Sequence, residues 1–180
     1  MGLEYSRPSC KSMKEPVLTR IDYRLIHGQV STQWVVELKV NSIVIIDDQL
    51  PNDQLMKTIF MMSKPRDNTL DIVTCDEAAR MWNDGWFNEH GNVMILFRST
   101  AMARKAYEAG VRFQNLQVGN MPGGPGKVCV MDVIYMNEDD AKNVDAVAKA
   151  GCNVTLKITP EFASFKTWEE AKKTSFPDLD

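Results

Sequence analysis

The 180-residue chain has few cysteines and few histidines, and those it has are scattered. Its four cysteines form no C-x-x-C pair, a spacing that fits neither a zinc site nor a compact disulfide framework. The two histidines, His27 and His90, lie far apart, so the sequence has no cluster of metal ligands. We therefore expect reduced, mostly buried thiols, no metal and no other cofactor.

The chain also lacks long apolar runs and an excess of positive charge. No uninterrupted apolar segment approaches the roughly 20 residues of a membrane-spanning helix, and the first residues lack the apolar core of a secretory signal. The formal net charge of -3 argues against binding to nucleic acid, which requires clustered positive charge. We expect a cytoplasmic protein that neither spans a membrane nor binds nucleic acid.

Residues 1–15 are polar and show no periodicity, whereas strand and helix patterns alternate from residue 16 onward. We expect the first segment to be an extension, either disordered or left over from cloning. Residues 16–180 are enough for one domain with a sizeable core and too few for two ordinary domains. The sequence therefore predicts a single domain over 16–180.

Seven segments have the composition of strands, and the sixth is long enough for one strand or two short ones: 17–22, 42–47, 70–74, 92–97, 115–119, 127–136 and 153–159. Helical patterns separate most of them, with capping residues at Thr74 and Glu77, Ser99 or Thr100, Asn137, and Thr167 with Glu170. This alternation predicts an α/β domain whose mainly parallel central sheet of about seven strands carries helices on both faces. The loops that follow the strands then meet at one edge, where such folds bind ligands.

The first helical pattern begins without the usual capping residue. In the stretch DYRLIHGQVSTQWV (22–35), His27 and Gly28 stand where Ser, Thr, Asp or Asn is common. An anion can replace the cap at such a helix start, and a neutral imidazole is a capable nucleophile. With Arg24 and Arg20 nearby, these features favour a histidine that carries a phosphoryl group. A single histidine in a loop is nevertheless more often structural, and Arg20 could simply pair with Asp22.

The segment RIDYRLIHGQVSTQWV (20–35) resembles the signature of the IIB subunit of the mannose/fructose/sorbose family of the bacterial phosphoenolpyruvate-dependent sugar phosphotransferase system. The family stretch reads approximately R-[IVL]-D-x-R-L-[IVL]-H-G-Q-V, and the chain matches it from Arg20 to Val30. The similarity continues in SIVIIDDQL, VMILF, NLQVGNM and a GK pair before a further strand. It covers about residues 16–173.

This resemblance implies a free-standing IIB subunit that acts as a protein-Nπ-phosphohistidine–sugar phosphotransferase. His27 would accept a phosphoryl group on Nδ1 from a phosphohistidine of the IIA subunit. It would pass the group to a sugar that enters through the membrane subunits IIC and IID. Mannose, fructose, sorbose and N-acetylgalactosamine all stay open as the sugar, and a homodimer is compatible with the sequence.

The resemblance also implies roles for residues other than His27. Arg24 would stabilise the phosphate, and Gly28, Gln29 and Arg20 would bind it. Five further residues would frame the active site: Asp22, Asp47, Gly119, Asn120 and Lys127. Gly119 belongs to a glycine pair in the family, and Asn120 replaces the second glycine here.

Two other functions remain open from the residues alone. One is a doubly wound sensor module that binds a nucleotide or phosphate without forming a covalent intermediate. It is disfavoured because no G-x-G-x-x-G follows the first strand, and GGPGKV lacks the first glycine and the final Ser or Thr of a phosphate-binding loop. The other is a partner-binding protein without catalysis, which the presence of both Arg24 and His27 disfavours.

Overall fold

A central sheet of seven strands organises the computed structural model of the chain, which describes residues 14–162 and 164–179. The nine strands of the described chain are β1 (Leu18–Ile21), β2 (Ser42–Ile46), β3 (Thr69–Val73), β4 (Val93–Phe97), β5 (Asn115–Val118), β6 (Val128–Met131), β7 (Ile134–Met136), β8 (Asn153–Leu156) and β9 (Lys166–Thr167). The sheet has the order β3-β2-β4-β1-β5-β8-β9, and its pairs are parallel except for β8 with β9. The predicted fold class is confirmed.

The seven strands of the central sheet are not the same seven segments that the sequence predicts. The segment 127–136 forms two short strands, β6 and β7, which pair with each other as a separate antiparallel hairpin. The seventh position in the central sheet is taken by β9, whose two residues pair with Thr155 and Leu156 of β8. So short a strand has no periodicity of its own, and only its pairing partner defines it.

Helices cover both faces of the sheet, as predicted. After β1 a π-helical turn (Val30–Trp34) continues into α1 (Val35–Glu37), and the later helices are α2 (Gln54–Ser63), α3 (Cys75–Asn83), α4 (Trp86–Glu89), α5 (Thr100–Ala109), α6 (Glu138–Lys149) and α7 (Trp168–Ser175). The first helix and α2 bury Val30, Trp34, Val35 and Phe60 against one face of the sheet. We call this the α1–α2 face; α3, α5, α6 and α7 bury a larger core against the other face.

The expected helix caps are present at four helices. Thr74 and Glu77 form a capping box at α3, and Thr167 and Glu170 form one at α7. Asn137 caps α6 and Ser99 caps α5, each by accepting a hydrogen bond from a backbone N–H of the first turn. These caps confirm that local sequence signals determine where most of the helices begin.

The loops after β1 and β5 diverge at the middle of the sheet. From β1 the chain moves towards β2, and from β5 it moves towards β8 on the opposite side. In an open parallel sheet, such a reversal leaves a crevice at the carboxyl ends of the strands, where ligands commonly bind. The topology therefore points to the loop after β1, which carries His27, as the place to examine.

The N-terminal extension expected over residues 1–15 lies largely outside the described residues. Of this segment Lys14 and Glu15 are described, and the Glu15 carboxylate accepts a hydrogen bond of 2.6 Å from the backbone N–H of Gln114. Lys14 Nζ donates to the carbonyl oxygen of Gly91 at 2.6 Å. Within the described ranges, no helix is both long enough and apolar enough to cross a membrane.

Candidate active site

His27 occupies the N-cap position of the helix that follows β1. Its carbonyl oxygen accepts a hydrogen bond from Ser31 N at 2.9 Å, and Gly28 and Gln29 are the first helical residues. Leu25, with a φ of 53°, bends the chain sharply just before this start. Among the described residues, no side chain accepts a hydrogen bond from the backbone N–H groups of Gly28, Gln29 or Val30, so this helix start has no side-chain cap.

The helix itself is widened at this end. Its π-helical turn is closed by a hydrogen bond from Val35 N to the carbonyl oxygen of Val30. The wider turn lets the neighbouring residues Trp34 and Val35 both be buried, whereas Leu38 is only half-buried. Such turns are frequent at functional sites. Here the turn brings the Trp34 indole beneath the residues that support His27.

The imidazole of His27 is held by a buried carboxylate. Nε2 of His27 lies 3.2 Å from Oδ1 of Asp22, whose side chain is fully buried. The same Oδ1 accepts a hydrogen bond from Arg24 N at 3.2 Å, which ties the loop back onto Asp22. Because Nε2 faces Asp22, Nδ1 is the ring nitrogen that points away from the carboxylate.

Arg20 supports Asp22 from below and has no donor left for a ligand. Nε and Nη2 both donate to Oδ2 of Asp22, at 3.2 and 3.0 Å. Nη1 donates to Gln117 Oε1 and to the carbonyl oxygen of Lys157, and Nη2 also donates to that of Ile158. With five N–H groups engaged and 1 % of its surface exposed, Arg20 cannot bind phosphate here. The expectation that it does is therefore corrected to a structural role.

The charges of this pair support each other. Burial raises the pKa of Asp22, but the neighbouring His27 imidazole and the Arg20 charge outweigh it, so the net pKa lies below its ordinary value. Burial lowers the pKa of Arg20, and the neighbouring Asp22 partly offsets that effect. The guanidinium also lies over the Trp34 ring, 5.3 Å from its centroid. An ionised carboxylate thus stands behind His27, ready to stabilise positive charge on the imidazole.

Arg24, Gly28 and Gln29 lie together on the open side of His27. Arg24 is exposed, and its Nη2 donates to Gln29 Oε1 at 2.9 Å. A Cβ added at Gly28 would meet no atom of the described chain within 4 Å, so the space in front of the helix start is open. A cation and an amide side chain therefore lie on the same exposed stretch of chain as the start of the helix.

The loop after β5 packs directly against this site. The carbonyl oxygen of Asn120 accepts a hydrogen bond of 2.9 Å from Tyr23 N, in the His27 loop. Gly119 is required by its neighbour, because any Cβ at that position would collide with the Arg20 guanidinium. Gly119 therefore lies against the Arg20 guanidinium, and Asn120 is joined to the His27 loop through its backbone.

Two of the expected frame residues are engaged elsewhere. Asp47 is buried at the end of β2, where its Oδ1 accepts hydrogen bonds from Gln49 N and Leu50 N at 2.8 and 3.0 Å. Lys127 Nζ lies 3.2 Å from Oδ2 of Asp140, at the start of α6. Among the described residues, neither side chain forms a hydrogen bond or ion pair with the His27 loop, and both stabilise their own segments.

The sequence analysis missed Gln117, Trp34 and Arg98 at this edge. Gln117 interrupts the apolar strand β5 and bonds to Arg20, while Arg98 is the first polar residue after the wholly buried β4. A polar residue inside or directly after a buried strand was the available signal. Among the described residues, no group of three or more His, Cys, Asp or Glu side chains could hold a metal ion.

Known proteins resemble this chain over most of its length. Residues 16–177 match the family model described as "PTS system sorbose subfamily IIB component". The mannose-specific EIIAB component of Escherichia coli K12 is 32% identical over 140 residues, which are 78% of this chain and 43% of that protein. The sorbose-specific EIIB component of Klebsiella pneumoniae is 25% identical over 159 residues, 88% of this chain and 96% of that protein.

A solved structure shows the same architecture. The crystal structure of manxB from Thermoanaerobacter tengcongensis superposes with a TM-score of 0.80 and 27% identity, over 92% of this chain and 99% of that one. The chain spans less than half the length of the mannose-specific relative, since the match covers 43% of it. Because the family model matches most of its length, the chain belongs to the sorbose subfamily of IIB components of the phosphotransferase system.

Proposed function

We propose that His27 is the phosphoryl carrier of this IIB component. The observation that carries the proposal is the position of His27 at an uncapped helix start, with Nε2 held 3.2 Å from the ionised Asp22. This arrangement leaves Nδ1 directed away from Asp22, on the side where a phosphoryl group can be met by helix amides and by Arg24. Gly28 and Gln29 complete this phosphate site.

The phosphoryl donor in this proposal is a phosphohistidine of a IIA subunit. The lone pair of Nδ1 forms a bond to phosphorus while the bond from phosphorus to the donor nitrogen breaks, and its electron pair returns to the donor ring. A donor ring that is protonated on its other nitrogen leaves as a neutral imidazole. The positive charge then resides on the His27 ring, whose Nε2–H faces the Asp22 carboxylate.

The acceptor is a sugar carried by membrane subunits of the IIC and IID type. A sugar hydroxyl oxygen forms a bond to phosphorus, the bond from phosphorus to Nδ1 breaks, and the hydroxyl proton is released to solvent. The relatives are named for mannose, N-acetylgalactosamine, sorbose and fructose, so the sugar is chosen by properties outside the shared IIB architecture. We place this exchange in the cytoplasm, in a domain that begins near residue 16.

The test is transfer of label from radioactive phosphoenolpyruvate through the general phosphotransferase proteins and a mannose-family IIA. We expect label that is stable in alkali and labile in acid on the wild type and on His90→Ala, and none on His27→Ala. His90 is a matched control because it is the only other histidine of the chain and its Nδ1 lies 2.7 Å from the carbonyl oxygen of Trp86, away from the site. Label retained by His27→Ala would contradict the proposal.

A further inference from the structure

Arg98 lies at the same edge and on the same face of the sheet as Asp22. In the register of the sheet, Ile21 of β1 pairs with Phe97 of β4, and Asp22 N donates to the Phe97 carbonyl oxygen at 2.9 Å. Ile21 and Phe97 both belong to the core beneath α3 and α5. Because side chains alternate along a strand, Asp22 and Arg98, which follow them, belong to the opposite, α1–α2 face.

Two buried carboxylates flank Arg98, yet neither pairs with it. Asp47 follows β2 on one side, and Asp22 follows β1 on the other. The Asp47 carboxylate accepts from the amides of Gln49 and Leu50, and the Asp22 carboxylate is engaged by Arg20, Arg24 N and His27. Their negative charge favours an arginine at this point, while their hydrogen bonds leave its donors free.

The Arg98 guanidinium is without a partner in the described chain. Its Nε is buried and has no hydrogen-bond acceptor there, and no ion pair joins the side chain to a described carboxylate. A buried donor without an acceptor is unfavourable unless something outside the chain supplies one. Arg98 also lines an open cleft of about 520 Å³ together with Gln49, Leu50, Asn52, Asp53 and Gln54. An external anion can therefore reach it.

The three arginines of this edge, Arg20, Arg24 and Arg98, differ in how many of their N–H donors are free to bind a ligand. Arg20 has all its donors engaged within the chain, and Arg24 donates to Gln29 from the His27 loop. Arg98 directly follows the neighbouring strand β4, whose last residue, Phe97, accepts a hydrogen bond from Asp22 N. A phosphoryl group in transfer carries its charge on three equatorial oxygens, so cations from two directions stabilise it better than one.

We propose that Arg98 is a catalytic residue that binds an oxygen of the phosphoryl group while it moves onto and off Nδ1 of His27. This inference rests on the proposed function of His27. In the transfer, the bond from phosphorus to the donor nitrogen breaks as the bond to Nδ1 forms, and the electron pair stays with the donor. Arg98 exchanges no proton; its charge stabilises the negative oxygens in the transition state.

The test compares two donors on Arg98→Gln: a phosphorylated IIA subunit and phosphoramidate, a small donor that loses ammonia. We expect phosphorylation of His27 to slow about 100-fold with both donors, the loss typical of removing one preorganised donor to a developing charge. Arg66→Gln is the matched control, because Arg66 is exposed before β3 at the opposite edge of the sheet. It should react at the wild-type rate with either donor.

Each other outcome has a distinct meaning. Slowing with the protein donor alone would overturn the proposal in favour of a contact with an acidic residue of the partner. Wild-type rates for Arg98→Gln with both donors would overturn the role of Arg98 and leave His27 as the carrier. A wild type that takes no label from either donor would overturn both. If Arg98→Gln does not fold, Arg98→Lys decides: it keeps the charge without the bidentate geometry, and we expect slowing of about tenfold.

Discussion

The starts of two groups of helices differ in how their amides are satisfied. At α3, α6 and α7 a capping box within the chain occupies the first N–H groups, with Thr74, Asn137 and Thr167 as the capping residues. At the helix after β1, His27 stands in the capping position, and its ring faces Asp22 rather than the amides. The amides of the first group are satisfied within the chain, whereas those of the second have no side-chain partner among the described residues.

The comparison shows that the helix after β1 lacks a stabilising interaction that α3, α6 and α7 have. A side-chain cap stabilises a helix by about 1 kcal/mol, and the helix after β1 lacks this contribution. In exchange, the amides and the partial positive charge of the helix start remain available to a group that arrives and leaves. The compensation comes from the buried pair of Arg20 and Asp22, which holds the loop in place without using those amides.

The largest effect is expected where this support is removed. Asp22→Asn takes away the counter-charge of the buried Arg20, and breaking such a pair lowers the free energy of unfolding by about 3 kcal/mol. It also removes the charge behind His27, so phosphoryl transfer should slow. Urea unfolding at pH 7 and labelled transfer measure the two effects.

The matched control for this change is Asp48→Asn, just after β2 and two strands away from β1. Asp48 pairs with Lys105 at the surface, where an ion pair contributes little to stability. We expect that variant to unfold near the wild-type urea concentration. A similar decrease in the free energy of unfolding in both variants would show that the buried pair of Arg20 and Asp22 stabilises the fold no more than a surface ion pair does.

An intermediate effect, with opposite signs for stability and activity, is expected at Gly28. Alanine meets no atom within 4 Å there, and replacing a helical glycine should stabilise the fold by up to about 1 kcal/mol. The added methyl enters the volume proposed for the phosphoryl group, so transfer should slow several-fold. Thermal unfolding and transfer rates, measured on the same preparation, check both signs.

Asn137→Ala sharpens this test at a capped helix. There alanine removes the side-chain oxygen that accepts from Asp140 N, so stability should fall by about 1 kcal/mol while transfer stays unchanged. If Gly28→Ala were destabilising, or if it transferred at the wild-type rate, the space in front of the His27 helix would have no role in binding phosphate.

The smallest effect concerns acid sensitivity at the capped helices. The Glu170 carboxylate accepts hydrogen bonds from Thr167 N and Oγ1, and the backbone bond first of all lowers the pKa of Glu170 below its ordinary 4.5. Its contribution is therefore complete above that ordinary value and is lost as the pH falls through the lowered pKa. The stability difference between the wild type and Glu170→Gln should shrink from about pH 5 to about pH 3.

Unfolding curves across that pH range measure the difference. The helix start at His27 has no capping carboxylate, so this titration belongs to the capped group alone. A difference that stayed constant down to about pH 3 would mean that the Glu170 charge contributes nothing beyond the shape of its side chain.

Much of the fold was predictable because its signals are local. The apolar runs of β2 and β4 are fully buried, as expected for central strands covered on both faces. The capping residues Ser99, Asn137 and Thr167 lie where the sequence pattern places them. The hairpin of β6 and β7 and the short strand β9 could not be assigned, because strand pairing depends on partners distant in the chain.

The site divides in the same way. The sequence indicated the loop from Arg20 to Val30, and the roles it gives His27, Arg24, Gly28 and Gln29 stay predictions that the geometry supports. It left Arg20 open between binding phosphate and pairing with Asp22, because the three acceptors other than Asp22 lie on β5 and the segment after β8. Nothing near Arg20 in the sequence indicates that its N–H groups would donate hydrogen bonds to these distant oxygen atoms.

By itself, the sequence determined the alternation of strands and helices, the capped helix starts, and the one start where a histidine replaces a cap. Each depends on residues within one or two turns of one another, so short-range preferences suffice. Only the tertiary structure decided that Arg20 is buried and fully bonded, that Gly119 makes room for it, and that Arg98 remains free beside Asp22. The parallel sheet brings these distant residues to one edge, and the satisfaction of buried donors then decides which arginine is left for a ligand.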